Sequence, residues 1–275
     1  MTIERESTKH PLVIRHVTVS GVSHPTETIT RITLSGDALA GFVSNGPADH
    51  VKLFFPDPAT GTITAPVMTD DGVKKPKTGV VISRDYTPLR FRSNNGNHEL
   101  DIDFVVHGDE GPASAWASRA TIGDPLVVAG PRGSRLLPVG ATHVILIADE
   151  TAFPATSRWI DMLPTSVQVT ALFDVADESA ESYFTAEQKA QMSAEWFYRR
   201  AGLGQLDPAL RALGSIGEST FIFLAGEAGT LVPLRRYLRR ELGLPKSQVS
   251  ADGYWRRGVK DADHHAPLDP ADPDE

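Results

Sequence analysis

The sequence predicts two domains in series: an antiparallel β-barrel over residues 1–137, then an α/β domain with a parallel sheet over residues 138–260, followed by a tail, 261–275. Three observations carry this reading. Up to about residue 135 apolar residues recur at every second position in short runs, the rhythm of half-buried strands. Beyond Pro138 the runs become continuously apolar and alternate with helical stretches, as in a parallel sheet covered on both faces. From Lys260 the run KDADHHAPLDPADPDE is acidic, Pro-rich and nearly without apolar side chains, which reads as disorder.

Taken in order, the barrel strands are VIRHVTV (13–19), TITRITL (28–34), VKLFF (51–55), GVVIS (79–83), ELDIDFVVH (99–107) and DPLVVAG (124–130). PDPATG (56–61) and SNNGN (93–97) are turn strings between them. In the second half THVILIADE (142–150) is a buried strand and TAFPATSRWIDML (151–163) a helix. SVQVTALFDVAD (166–177) is a strand, a helical stretch lies near SYFTAEQKAQM (182–192), and EWFYRR (195–200) is a short apolar piece. STFIFLAGE (219–227) is a strand, and TLVPLRRYLRREL (230–242) a helix with Leu231, Leu234, Leu238 and Leu242 along one face, stopped by Gly243 and Pro245.

Composition excludes several classes. A formal charge of −8 argues against a nucleic-acid binder, which would carry a basic surplus. There is no cysteine, so there is no disulfide and no thiolate chemistry. The opening MTIERESTKH lacks the apolar core of a signal peptide, and no apolar run could span a bilayer. A cytoplasmic protein without stable membrane association is expected. The nine histidines are scattered, so no metal site is assigned, and neither G-x-S-x-G nor H-E-x-x-H occurs.

Six stretches carry chemistry. SRDYT (83–87) places Arg84, Asp85, Tyr86 and Thr87 at a strand end: a guanidinium for a phosphate, a ring for stacking, a hydroxyl for a heteroatom. The same string also suits an ordinary strand end. In VVHGDEGPASAWASRA (105–120) a strand ends at His107, and Gly111, Pro112, Ala113 and Ser114 open a helix whose N–H groups could seat a pyrophosphate or merely form a cap. AGPRGSRLL (129–137) brings Arg132 and Arg135 to the domain joint. ADETAFPA (148–155) and LAGEAGT (224–230) each follow a buried strand, where open parallel sheets bind ligands, although neither is a G-x-G-x-x-G fingerprint. Asp174, Asp177 and Glu178 after the second strand would accept ribose hydroxyls and repel a 2′-phosphate, which, if a nicotinamide cofactor binds, favours NADH over NADPH. SADGYWRRGVK (250–260) crowds Tyr254, Trp255, Arg256 and Arg257, fit for an anionic aromatic ligand or for docking.

From about residue 12 to residue 258 these segments together resemble the siderophore-interacting protein family, flavin-dependent ferric-siderophore reductases of the ferredoxin-reductase-like class. The resemblance rests on SRDYT (83–87), HGDEGPASAWA (107–117), GPRGS (130–134), ADETAFPA (148–155), AGEAGT (225–230) and GYWRRG (253–258). It implies an FAD-binding barrel and an NAD(P)H-binding domain. Arg84 would grip the FAD phosphate, Asp85 and His107 would flank the cofactor, Tyr86 would stack on the isoalloxazine, and Thr87 would approach its reactive N5 edge. Gly111, Pro112, Ala113 and Ser114 would cradle the pyrophosphate. Asp149, Glu150, Thr151, Gly226 and Glu227 would line the nicotinamide side. Lys52, Arg132, Arg256 and Arg257 would hold an anionic ferric siderophore. The family pattern R-x-Y-T-x-R is broken here, because Leu89 stands in the last place and Arg90 follows it.

The implied activity passes electrons from NADH or NADPH, or from reduced ferredoxin, through FAD to Fe(III), with no side-chain nucleophile. The competing readings are a general NAD(P)H:flavin or ferredoxin-type reductase with a protein partner, and a non-catalytic siderophore-binding module.

Overall fold

The computed structural model describes residues 3–106, 111–259 and 267–273, in two compact units. One comprises Ser7–Leu136; the other runs from Leu137 onward and includes the residues before Ser7.

The first unit contains β1 (Ser7–Lys9), β2 (Ile14–Thr26), β3 (Ile29–Ser35), β4 (Val51–Phe55), β5 (Val67–Thr69), β6 (Gly72–Lys74), β7 (Ile82–Tyr86), β8 (Pro88–Asn94), β9 (Asn97–Val105), α1 (Pro112–Ala117), β10 (Pro125–Ala129) and β11 (Gly133–Arg135). Seven of the strands form one antiparallel sheet in the order β7-β4-β10-β2-β3-β9-β8. Its two edge strands, β7 and β8, are separated in sequence by Thr87 alone. Consecutive Cα atoms are only about 3.8 Å apart, so the sheet has to curl until its edges meet at that residue. Alternation along β2, β3, β4, β9 and β10 sends Val17, Val19, Ile32, Leu34, Leu53, Phe55, Ile102, Phe104 and Val128 into one core. Asn95 (φ 50°) and Gly96 (φ 84°) make the tight β8–β9 hairpin, a pair of left-handed positions that suits Asn-Gly.

Two details of this half differ from the sequence reading. The strand expected at 79–83 lies at 82–86, because pairing with β4 sets Phe55 opposite Ile82 and Val51 opposite Tyr86, leaving Val80 and Val81 exposed. Arg84, Asp85 and Tyr86 are therefore inside a strand rather than beyond its end. Strand β8 has no counterpart among the expected elements. A bulge at Leu89 breaks its alternation, so Leu89 is buried and Arg90 is exposed.

The second unit contains β12 (His143–Ala148), α2 (Phe153–Met162), β13 (Gln168–Val175), α3 (Ala186–Ala190), β14 (Ser193–Tyr198), α4 (Leu206–Ala212), β15 (Thr220–Glu227), α5 (Ala228–Arg236) and β16 (Val249–Trp255). The strands are all parallel, in the order β14-β13-β12-β15-β16. The order reverses between β12 and β15, which creates a topological switch point there. Leucines of α4 and α5 cover one face with Ile145, Ile147, Ile222 and Leu224. On the other side an aromatic layer packs, with Phe173–Trp196 centroids at 4.5 Å and Trp159–Phe221 at 5.5 Å. Arg5 lies over the Trp159 and Phe221 rings at 5.2 and 5.0 Å, which ties the first residues to this unit.

Leu242 does not join the apolar face of the last helix. Residues Tyr237–Glu241 form a π-turn that widens the helix by one residue per turn and rotates Leu242 into solvent, before Gly243 (φ 69°) ends it. The tail expected to be disordered is, over 267–273, docked. Leu268 is buried in the α5 core, Asp269 pairs with Arg236, and Asp272 pairs with Arg235 and Arg240. Opposite charges and one leucine supply what the average composition of the tail conceals.

Candidate functional site

The first unit gathers one group of candidate residues at the seam of its curled sheet. On β7 the side chains alternate, and the cross-strand partners fix the faces: Arg84 lies opposite Leu53 and Tyr86 opposite Val51, both core positions. Arg84 is thus a half-buried guanidinium on the core-facing side, where it donates to the Ser83 carbonyl at 2.7 Å. The half-buried Tyr86 ring lies 4.4 Å from that of Phe104, and burial pushes its hydroxyl above the usual phenol range. Phe104 and Phe55 in turn contact Trp116 of α1, at 5.7 and 5.5 Å. This aromatic cluster brings the start of α1 beside β7, although 25 residues separate Tyr86 from Gly111.

Gly111 is the extended N-cap of α1 and Pro112 opens it; no side chain among the described residues caps this helix. A β-carbon at Gly111 would meet nothing within 4 Å among the described residues. Ala113 is buried and Ser114 half-buried. Thr87 is buried between the two edge strands. His107 lies outside the described residues. The seam brings together one core-side guanidinium, one aromatic ring and a helix N-terminus, a set that suits a flat ring joined to a pyrophosphate.

Asp85 faces the other way. Its carboxylate accepts from Lys52 Nζ at 2.7 Å, directly across the β4–β7 pair, so the structure joins one residue expected at the cofactor to one expected at the substrate. Arg132 is exposed. Arg90 does not take the inward place that the family pattern gives to arginine; Leu89 fills it.

In the second unit one buried carboxylate joins the loop after β12 to the last residues of β15 and β16. Asp149 Oδ1 accepts from Thr151 N at 2.9 Å and from Thr151 Oγ1 at 2.5 Å. Asp149 Oδ2 accepts from Glu227 N and from Trp255 Nε1, each at 2.8 Å. Burial pushes this carboxyl up to about 6, against the pull of its donors. Gly226 (φ 145°) is required where it stands, since a β-carbon there would lie 2.6 Å from Asp149 Oδ2. Glu150 is also buried. It accepts from Arg199 through both oxygens, at 2.7 and 2.8 Å, and from Ala176 N at 2.6 Å. Both carboxylates expected to line a ligand therefore act first as internal anchors that set the shape of the switch-point loops.

Glu227 caps α5, accepting from Thr230 N at 2.7 Å and from Arg257 N at 3.1 Å. A cavity of about 280 Å³ opens at this helix end, lined among others by Leu206, Asp207, Thr230, Pro233 and Arg257. Arg256 takes a different direction and donates to the Leu268 carbonyl at 3.0 Å. Asp177 caps its own turn through Ser179 N, Asp174 lies 3.7 Å from Arg199, and Glu178 pairs with Arg200. The acidic cluster that favoured NADH is thus matched by two arginines. The Arg199–Arg200 pair at the end of β14 was legible as RR after an apolar strand, but nothing in the spacing tied it to Glu150 or Glu178. Among the described residues no His/Asp/Glu cluster could hold a metal ion.

Two family models match the chain: a siderophore-interacting FAD-binding domain over residues 18–135 and siderophore-interacting protein over residues 141–258. The chain belongs to the siderophore-interacting protein family. It is 35% identical over 250 residues to the NADPH-dependent ferric-chelate reductase of Escherichia coli, covering 90% of this chain and 94% of that one. It is 32% identical over 241 residues to the ferric vibriobactin reductase ViuB of Vibrio cholerae, covering 86% and 87%. Among solved structures, a siderophore utilization protein from T. fusca superposes with a TM-score of 0.85 at 42% identity, covering 96% of this chain and all of that one. The FAD/NAD-binding domain of a nitric oxide dioxygenase from V. cholerae, 15% identical with a TM-score of 0.65, shares the fold. That likeness places the curled sheet and the parallel sheet in the ferredoxin-reductase-like architecture.

Proposed function

We propose that the chain is a flavin-dependent reductase of ferric siderophores, taking electrons from NADH or NADPH and releasing iron as Fe(II) in the cytoplasm. The observation that carries this reading is the seam itself: a core-side arginine, an aromatic ring and a helix N-terminus, drawn from two distant segments, converge in a domain that matches an FAD-binding family model. FAD, when bound, supplies the conversion between a two-electron hydride donor and a one-electron Fe(III) acceptor.

The chain's own residues provide position and field. Arg84 and the opening amides of α1 neutralise the cofactor's pyrophosphate. Tyr86, backed by Phe104, presents a ring for stacking, and Thr87 is assigned to the ring edge where electrons enter. Asp149 holds the loops that receive the nicotinamide donor, through Thr151, Glu227 and Trp255. No side-chain acid or nucleophile is needed, because per hydride two Fe(III) are reduced and one proton is released. Hard oxygen ligands that suit Fe(III) bind Fe(II) less well, so reduction loosens the chelate. Lys52, Arg132, Arg256 and Arg257 are the cations assigned to an anionic chelate, with Lys52 the weakest of them because Asp85 offsets its charge. Reduced ferredoxin is the alternative donor.

The test is direct. Purified protein titrated with FAD should develop flavin absorbance at one equivalent; it should then bleach under anaerobic NADPH or NADH and recolour when a ferric siderophore is added, with Fe(II) trapped by ferrozine. A protein that takes up no flavin refutes the reading.

A further inference from the structure

The C-terminal segment bridges two elements that the sequence keeps apart. Leu268 is buried beside Leu231, Leu234 and Leu238, and its Cδ1 fills the space where a side chain at Gly253 of β16 would begin, 3.0 Å from that position. Asp269 accepts from Arg236 Nε at 2.5 Å, and Asp272 accepts from Arg240 Nε at 2.7 Å and from Arg235 at 3.3 Å. Between these anchors the Leu268 carbonyl takes the Arg256 guanidinium. A carbonyl oxygen is neutral. It orients the guanidinium while leaving the charge and the other donors available, whereas a carboxylate would have cancelled the charge. Asp269 and Asp272, the described aspartates of this segment, are held by arginines of the helical segment 235–240 instead.

We propose that Leu268–Asp272 is a positioning strap: it fixes Arg256 in one orientation for an anionic ferric chelate. This rests on Arg256 meeting the substrate. Releasing the strap leaves a mobile arginine whose ordering must be met on binding, so the effect falls on chelate affinity and not on electron transfer.

The test compares the full chain with a chain ending before Leu268, and with Asp269→Asn/Asp272→Asn, which loosens the strap while keeping Leu268. Ferric citrate is the anionic probe and ferric tris-acetohydroxamate the neutral one. Expected is a rise in KM for ferric citrate of about fivefold on truncation and less in the double variant, with kcat and the neutral probe unchanged. Arg256→Ala should raise the same KM, and truncation should add nothing to it. If Arg256→Ala raises KM and truncation does not, the strap is refuted and the substrate role of Arg256 stands. If neither moves KM, the substrate role itself fails and the strap with it. Equal losses on both probes, with a lowered melting temperature, mean a purely structural segment and also overturn the proposal.

Discussion

Asp149→Asn isolates a single buried charge, and its consequence can be worked through pH. In the folded chain the carboxyl is pushed by burial from 3.8 to about 6. At about 1.4 kcal/mol per pH unit, the ionised form is about 3 kcal/mol less favourable in the folded than in the unfolded chain. Below 3.8 both states are protonated and the effect vanishes. Between 3.8 and about 6 the folded chain keeps a proton that the unfolded chain has released, so stability falls as pH rises; above 6 the loss is constant. Asparagine removes this titration. It also presents an amide N–H₂ where an oxygen accepted two donors, which costs a few kcal/mol at every pH. The variant should therefore be the less stable at pH 5, and the gap should close by about 1.4 kcal/mol, roughly half the total, by pH 8. Titrating groups remote from Asp149 cancel in the difference; Glu150, whose charge adds to the upward push on Asp149, is the coupled neighbour. Urea unfolding followed by tryptophan fluorescence reports on it, since three of the four tryptophans, Trp159, Trp196 and Trp255, lie in this unit. Because Trp255 donates directly to Asp149, its emission should also titrate near pH 6 and lose that step in Trp255→Phe. A gap that is constant with pH, or that widens as pH rises, refutes the assignment.

Three further perturbations address the other contacts. Arg84→Ala should weaken flavin binding at least about tenfold by fluorescence titration, the loss of one charge-assisted contact to phosphate; undiminished occupancy removes Arg84 from the site. Gly226→Ala forces a β-carbon against Asp149 in a left-handed conformation and should destabilise the α/β unit by about 2 kcal/mol, read from its thermal midpoint. Arg199→Ala strands the buried Glu150 and should cost about 3 kcal/mol or more, while Arg199→Lys restores only part of it because the two-oxygen contact is lost; a silent alanine variant would refute the anchoring role of this pair.

The rhythm of the strands was legible because it records which side chains face a core, and most of both sheets follows from it. What escaped was set by partners far away in sequence. Strand β8 carries a bulge, so PLRFRSN shows no clean alternation, and VV at 80–81 imitates a strand while standing exposed. GYWRRG drew attention as chemistry, yet its first residues close the parallel sheet as β16. The candidate residues of SRDYT and GPAS were found from residue type alone; that they converge follows from Phe55, Phe104 and Trp116, which no local window links. Asp149 and Glu150 were read as ligand-facing because a carboxylate after a buried strand so often is. Their captors, Trp255 and Arg199, lie 106 and 49 residues away.

A chain with a formal charge of −8 faces a physical difficulty in attracting an anionic chelate. The pattern of ion pairs shows how that difficulty is contained. Asp85 is matched by Lys52, Glu150 and Asp174 by Arg199, Glu178 by Arg200, and Asp269 and Asp272 by arginines of the helical segment 235–240. These carboxylates are thus internally compensated, while among the described residues Arg256 donates to an uncharged oxygen and Arg132 and Arg257 are exposed. Repulsion from the remaining surface acts over a Debye length, about 10 Å at 0.1 M salt, and is screened in ordinary buffers. Contacts made inside a partly dry site are screened much less. An acidic protein can therefore hold an anionic substrate, provided the cations that meet it are spared from pairing with the chain's own acids.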